Sequence, residues 1–168
     1  MPWPQATDYN AAIQNPALCF ADPDLRQGQA ETDFLGLPRP YAGNFANVYH
    51  VKGPADQAWA VKCFTREVHG LHERYQAISE HLRQAQRAFT VDFHYLEQGI
   101  RVHGRWCPVL KMRWVEGLTL NAFLRDHADK PVLLDRLSQM WLRLASDLRD
   151  AGMGHGDLQH GNVLLVPG

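Results

Sequence analysis

The densest chemistry in the chain lies in the segment His155-Gly156-Asp157-Leu158-Gln159-His160-Gly161-Asn162. It brings a carboxylate, an amide oxygen and two imidazoles into one glycine-bearing loop. A carboxylate beside a hydroxyl can orient it and accept its proton. An amide oxygen is a hard ligand for a cation such as Mg²⁺. His155 and His160 also invite a zinc reading, but no further Cys or carboxylate completes a zinc pattern around them. Gly, Asp and Asn are ordinary turn residues as well, so the loop has a plain structural reading beside the chemical one. A second candidate is Lys62, in the alternating run Trp59-Ala60-Val61-Lys62-Cys63-Phe64. Cys19, Cys63 and Cys107 form no C-x-x-C pair, and their odd number fits no closed disulfide framework. They read as reduced thiols of a cytoplasmic protein.

Elements must position these groups. Phe45, Val48, Tyr49 and Val51 suggest a strand, Lys52-Gly53-Pro54 a turn, and Trp59 to Phe64 the paired strand. Leu71, Tyr75, Ile78, Leu82 and Ala85 recur at helical spacing, which predicts a helix from Gly70 to about Arg87. Phe89–Leu96, Ile100–Val102 and Trp106–Trp114 read as strands, with a tight turn at His103-Gly104. Thr119 can cap a short helix running to His127. Pro131 opens a long helix whose apolar face is Leu134, Leu137, Met140, Trp141, Leu144 and Leu148, with Gly152 as its stop. The loop carrying Asp157 follows, then a short apolar strand at Val163–Val166. This order gives an α+β fold with a mostly antiparallel sheet. Six of the ten prolines fall in residues 1–40, which predicts a proline-rich arm with one short helix at Tyr9–Ile13.

The chain has 168 residues, 45% apolar and 21% charged, with a net charge of −1. That balance is the one of folded globular proteins and argues against disorder. It supplies no single-signed field for nucleic acid. No stretch of sequence is long and apolar enough for a membrane span, and no signal peptide is expected.

The segment His155 to Leu165 resembles the catalytic loop of the protein-kinase-like superfamily, H-x-D-L-x-x-x-N before a short strand. Trp59-Ala60-Val61-Lys62 is similar to the family's V-A-I-K strand. Tyr41 to Val48 aligns with the glycine-rich loop, keeping only Gly43, with Tyr41 and Ala46 in place of the other two glycines. Pro108 to Leu120 looks like the family's fifth strand and hinge. The resemblance spans about residues 35–166.

It implies a kinase-like fold: an arm over 1–40, a small lobe over 41–116 and part of a large lobe over 117–168. It implies ATP and Mg²⁺ as cofactors. Asp157 would be the base, Asn162 a metal ligand, and Lys62 the clamp on the α- and β-phosphates. Glu80, or alternatively Glu73, would pair with Lys62. Gly43, Phe45, Val48, Ala60, Met112, Arg113, Val115 and Leu164 would line the nucleotide site. Met112 would be the gatekeeper, and the backbone of Arg113 and Val115 would read the adenine edge. Gly156 stands where many protein kinases carry Arg, and H-G-D-L is also similar to aminoglycoside phosphotransferases. The acceptor is therefore a hydroxyl of either a protein or a small molecule. No D-F-G-like Asp follows Val163–Val166, so the expectation is an incomplete, weakly active or inactive member. A pseudokinase that binds nucleotide without transfer is the alternative. Trp141, Leu142 and Leu148, lacking their usual cover, would favour self-association.

Overall fold

A computed structural model describes residues 2–67, 69–85, 90–154, 158 and 162–166. The chain is mixed α and β with an antiparallel sheet. It divides into two compact units, Met1–Trp114 and Val115–Gly168.

The first unit is built on a six-stranded sheet. Its strands are β1 (Gln29–Ala30), β2 (Pro40–Ala42), β3 (Ala46–Lys52), β4 (Ala58–Phe64), β5 (Phe93–Val102) and β6 (Arg105–Arg113). The order is β1-β3-β4-β6-β5, with β2 also pairing to β3, and every pairing is antiparallel. The β5–β6 hairpin closes through His103 and Gly104, both at positive φ (50° and 79°). That is the two-residue turn whose twist matches the flanking strands. Of the strand expected at Phe89–Leu96, residues 93–96 join the one expected at Ile100–Val102 in a single strand, β5, while 90–92 precede it and Phe89 lies outside the described residues. The register of β5 shifts between Leu96 and Ile100. Gly99 sits in the shift, where an added Cβ would lie 2.4 Å from Val109 Cγ2.

Because side chains alternate across a strand, register sorts them onto two faces. One face carries Tyr49, Val51, Val61, Cys63, Cys107 and Val109, all buried. It is covered by α1 (Ala6–Ile13), α2 (Pro16–Cys19) and α3 (Pro23–Arg26), which contribute Tyr9, Ile13, Cys19 and Leu25 to the same core, joined by Phe20 just after α2. Each such large side chain contributes about 1.5–3 kcal/mol on burial. Residues 1–40 are thus no arm with a single helix. They carry three helices and part of the sheet. The prolines do not prevent this: Pro16 and Pro23 occupy first-turn positions, where the missing N–H costs nothing.

Polar anchors tie this layer down. Tyr9 Oη donates to Phe64 O at 2.7 Å. The buried ammonium of Lys111 lies 2.8 Å from Asp22 Oδ1 and 2.6 Å from Asp24 Oδ2, and 4.2 Å from the centre of the Trp59 ring. All three cysteines are free and buried. Burial pushes the Cys19 thiol up to about 12 and the Cys63 thiol well above its ordinary value. They behave as small apolar core groups rather than nucleophiles.

On the opposite face, α4 (Leu71–Ala85) packs Leu71 and Tyr75 against Phe64, Leu110, Phe93 and Tyr95. Tyr75 stacks on Tyr95 at 5.8 Å and meets Phe93 edge-on at 5.5 Å.

The second unit holds α5 (Leu120–Asp126), α6 (Pro131–Asp150) and a small sheet of β7 (Leu118–Thr119) with β8 (Leu164–Leu165). Thr119 Oγ1 accepts from Ala122 N at 3.2 Å and so caps α5. Gly117 is required by close approach: a Cβ there would lie 2.8 Å from Leu165 O. Met140 and Leu142 of α6 are exposed, while Leu148 is buried. No helix among the described residues is long and apolar enough to cross a membrane.

Candidate functional site

Of the residues expected to hold a nucleotide, Val48, Ala60, Lys62 and Met112 lie on neighbouring strands of the first unit, while Val115, Asn162 and Leu164 belong to the second. The register sets Val48 opposite Lys62, and Lys62 opposite Leu110. It sets His50 opposite Ala60, and Ala60 opposite Met112. These two adjacent rows share the face on which α4 packs. Val48, Lys62 and Met112 are half-buried and Ala60 is nearly buried, so a lysine stands beside a low, apolar surface. Such a surface suits a planar ring, and the adjacent ammonium suits an anion.

Gly43 and Phe45 lie in the turn between β2 and β3. Gly43 N donates to Ala46 O at 2.9 Å, and Thr65 N donates to Phe45 O at 3.0 Å. The turn is therefore closed on itself and stitched to the end of β4. The guanidinium of Arg66 sits 3.6 Å above the centre of the Phe45 ring. Arg66 was not among the expected site residues. Its signal was its place four residues after Lys62, next to the turn.

Glu80 and Glu73 are both exposed on α4. At about 100° per residue, Glu80 falls roughly half a turn from the stripe of Leu71, Tyr75 and Ile78. Glu73 lies at the start of the helix, where its charge helps hold the Tyr95 hydroxyl neutral, behind burial and Glu97 in effect. Arg113 is exposed at the end of β6, and the division into units falls between Trp114 and Val115, within the expected hinge.

Sequence reasoning also passed over His50. Its ring is 5% exposed and stacks on Trp114 at 4.0 Å. Nδ1 lies 3.0 Å from Glu31 Oε2, and Nε2 is buried without a hydrogen-bond partner among the described residues. Tyr41 Oη and Arg39 Nη1 also reach the Glu31 carboxylate, at 3.3 and 3.4 Å. These contacts, the His50 hydrogen bond first, hold Glu31 below its ordinary value of 4.5.

In the second unit, Asn162 is exposed just before β8 and Leu164 lies on β8, 43% exposed. Leu120 N donates to Val163 O at 2.9 Å, which ties this strand to the start of α5. Asp157 lies outside the described residues. Among the described residues no group of three or more His, Cys, Asp or Glu could hold a metal ion. Asn162 offers one neutral oxygen, which does not make a Mg²⁺ site by itself.

Comparison of the chain with protein-family models, with curated proteins and with solved structures finds no match.

Proposed function

We propose that this chain is an ATP-dependent phosphotransferase domain of the protein-kinase-like class. The observation that carries this reading is the pair of rows Val48–Lys62–Leu110 and His50–Ala60–Met112 on one sheet face. Four residues that the sequence resemblance picked out independently share that face, although they come from three strands. The apolar members would take the adenine ring, and Lys62 would engage the phosphates by charge. Asp157 would orient the acceptor hydroxyl and take its proton. The acceptor is a protein or small-molecule hydroxyl.

A second reading, nucleotide binding without transfer, is favoured by the turn at Gly43. Its amide is consumed by Ala46 O, so one backbone donor of a phosphate cradle is already used.

The test is a thermal shift of the chain with ATP and Mg²⁺, for wild type, Lys62→Ala and Asp157→Ala. At a hundred times its Kd a ligand stabilises by about 2.7 kcal/mol. The expected result is a shift in wild type and Asp157→Ala that is lost in Lys62→Ala. An equal shift in all three, or none, would overturn the assignment of Lys62. Phosphate transfer to a panel of protein and aminoglycoside acceptors, abolished by Asp157→Ala, separates transfer from binding alone.

A further inference from the structure

We infer that Arg66, presented by Phe45, is the group that engages the terminal phosphate of the nucleotide, taking over from the Gly43 amide that this turn uses internally. The inference rests on the nucleotide reading above and adds a phosphate-specificity residue to it.

A glycine-rich phosphate loop works by exposing several backbone N–H groups to the anion, which needs glycines for close approach. Here the loop keeps one of the three glycines, and the Gly43 N–H is bonded to Ala46 O at 2.9 Å. Positive charge at the tip comes from a side chain instead. Arg66 lies with its guanidinium 3.6 Å from the Phe45 ring centre, while Phe45 itself is 51% exposed. Among the described residues Arg66 forms no salt bridge with a carboxylate. Stacking uses the flat face of the guanidinium and leaves its N–H edge open, and that edge matches the oxygens of a phosphate. The Thr65–Phe45 backbone bond fixes the aromatic platform relative to β4, so the platform is held in place before the ligand arrives.

Lys62 and Arg66 are four residues apart, at most about 13 Å between their Cα atoms on an extended strand. Two long cationic side chains separated in this way can grip opposite ends of a triphosphate. Lys62 would take the inner phosphates and Arg66 the outermost one. The class of ligand is therefore a nucleoside triphosphate in preference to a mono- or diphosphate.

The experiment is calorimetric titration of the full chain with ATP, ADP and AMP, for wild type, Arg66→Ala, Arg66→Lys, Phe45→Ala and Lys62→Ala. Losing one charge-assisted hydrogen bond weakens binding by about tenfold or more. Arg66→Ala is expected to weaken ATP at least tenfold and to leave AMP unchanged. Arg66→Lys should recover part of the ATP affinity, since it restores charge but not the fork. Phe45→Ala should fall between wild type and Arg66→Ala, because the cation remains but is no longer held. Lys62→Ala should weaken all phosphorylated ligands. If ATP and AMP weaken equally in Arg66→Ala, or neither weakens, the inference fails while nucleotide binding by wild type keeps the broader reading. If wild type binds none of the three nucleotides, both fall. Exposure of Arg66 predicts that every Arg66 variant keeps the wild-type melt, which a folding defect would change.

Discussion

Single residues in this chain do different work from what their types alone would suggest. Glu31, unremarkable in the sequence, collects His50, Tyr41 and Arg39, and its carboxylate is held below the ordinary range. A depressed carboxylate contributes stability above its unfolded value of about 4.5, and that contribution is lost as pH falls through the lower folded value. Glu31→Gln should therefore lower Tm at pH 7, and the gap to wild type should close as the pH is taken toward 3. The same gap at both pH values would show that the charge is irrelevant and only shape matters. The cysteines illustrate the converse: a reactive type made inert by burial. The strand positions of Cys63 and Cys107 could be read from alternation, but the helical layer that carries Cys19 and seals them could not.

At the scale of elements, the sheet was largely legible. β3, β4, β6 and α4 fall close to where alternation and helical spacing put them, because their apolar periods are strong. β5 shows what periodicity misses. Glu97-Gln98-Gly99 breaks the alternation, yet the strand continues because β6 and the Phe20–Ala21 backbone hold it, with Ala21 N bonding Gly99 O at 3.3 Å. Gly99→Ala should cost about 1–3 kcal/mol in urea unfolding, the usual penalty for an overpacked core. Combining it with Val109→Ala should cost less than the sum of the two single changes, since the methyl that clashes is then gone. Strict additivity would sink that explanation.

For the whole molecule, the decisive feature is the helical layer of residues 6–26 on one sheet face. Its charged fastening is Lys111 with Asp22 and Asp24. Removing one partner of a buried pair leaves the other charge stranded, so Lys111→Met should cost about 3 kcal/mol. Asp22→Asn in the same background should recover part of it, as read from urea midpoints. An unchanged midpoint for Lys111→Met would mean that the pair contributes nothing. The chain by itself determined the α+β class and the elements with strong periods, because these follow from local pattern. Only tertiary structure decided that the proline-rich beginning is core, since helices of four residues carry too little pattern of their own and form by packing. It also decided that Val48, Ala60, Lys62 and Met112 share a face, because register is a relation between strands that no single segment encodes. The meeting of Arg66 with Phe45 has the same origin: the two lie 21 residues apart, and the β3–β4 pairing brings them together.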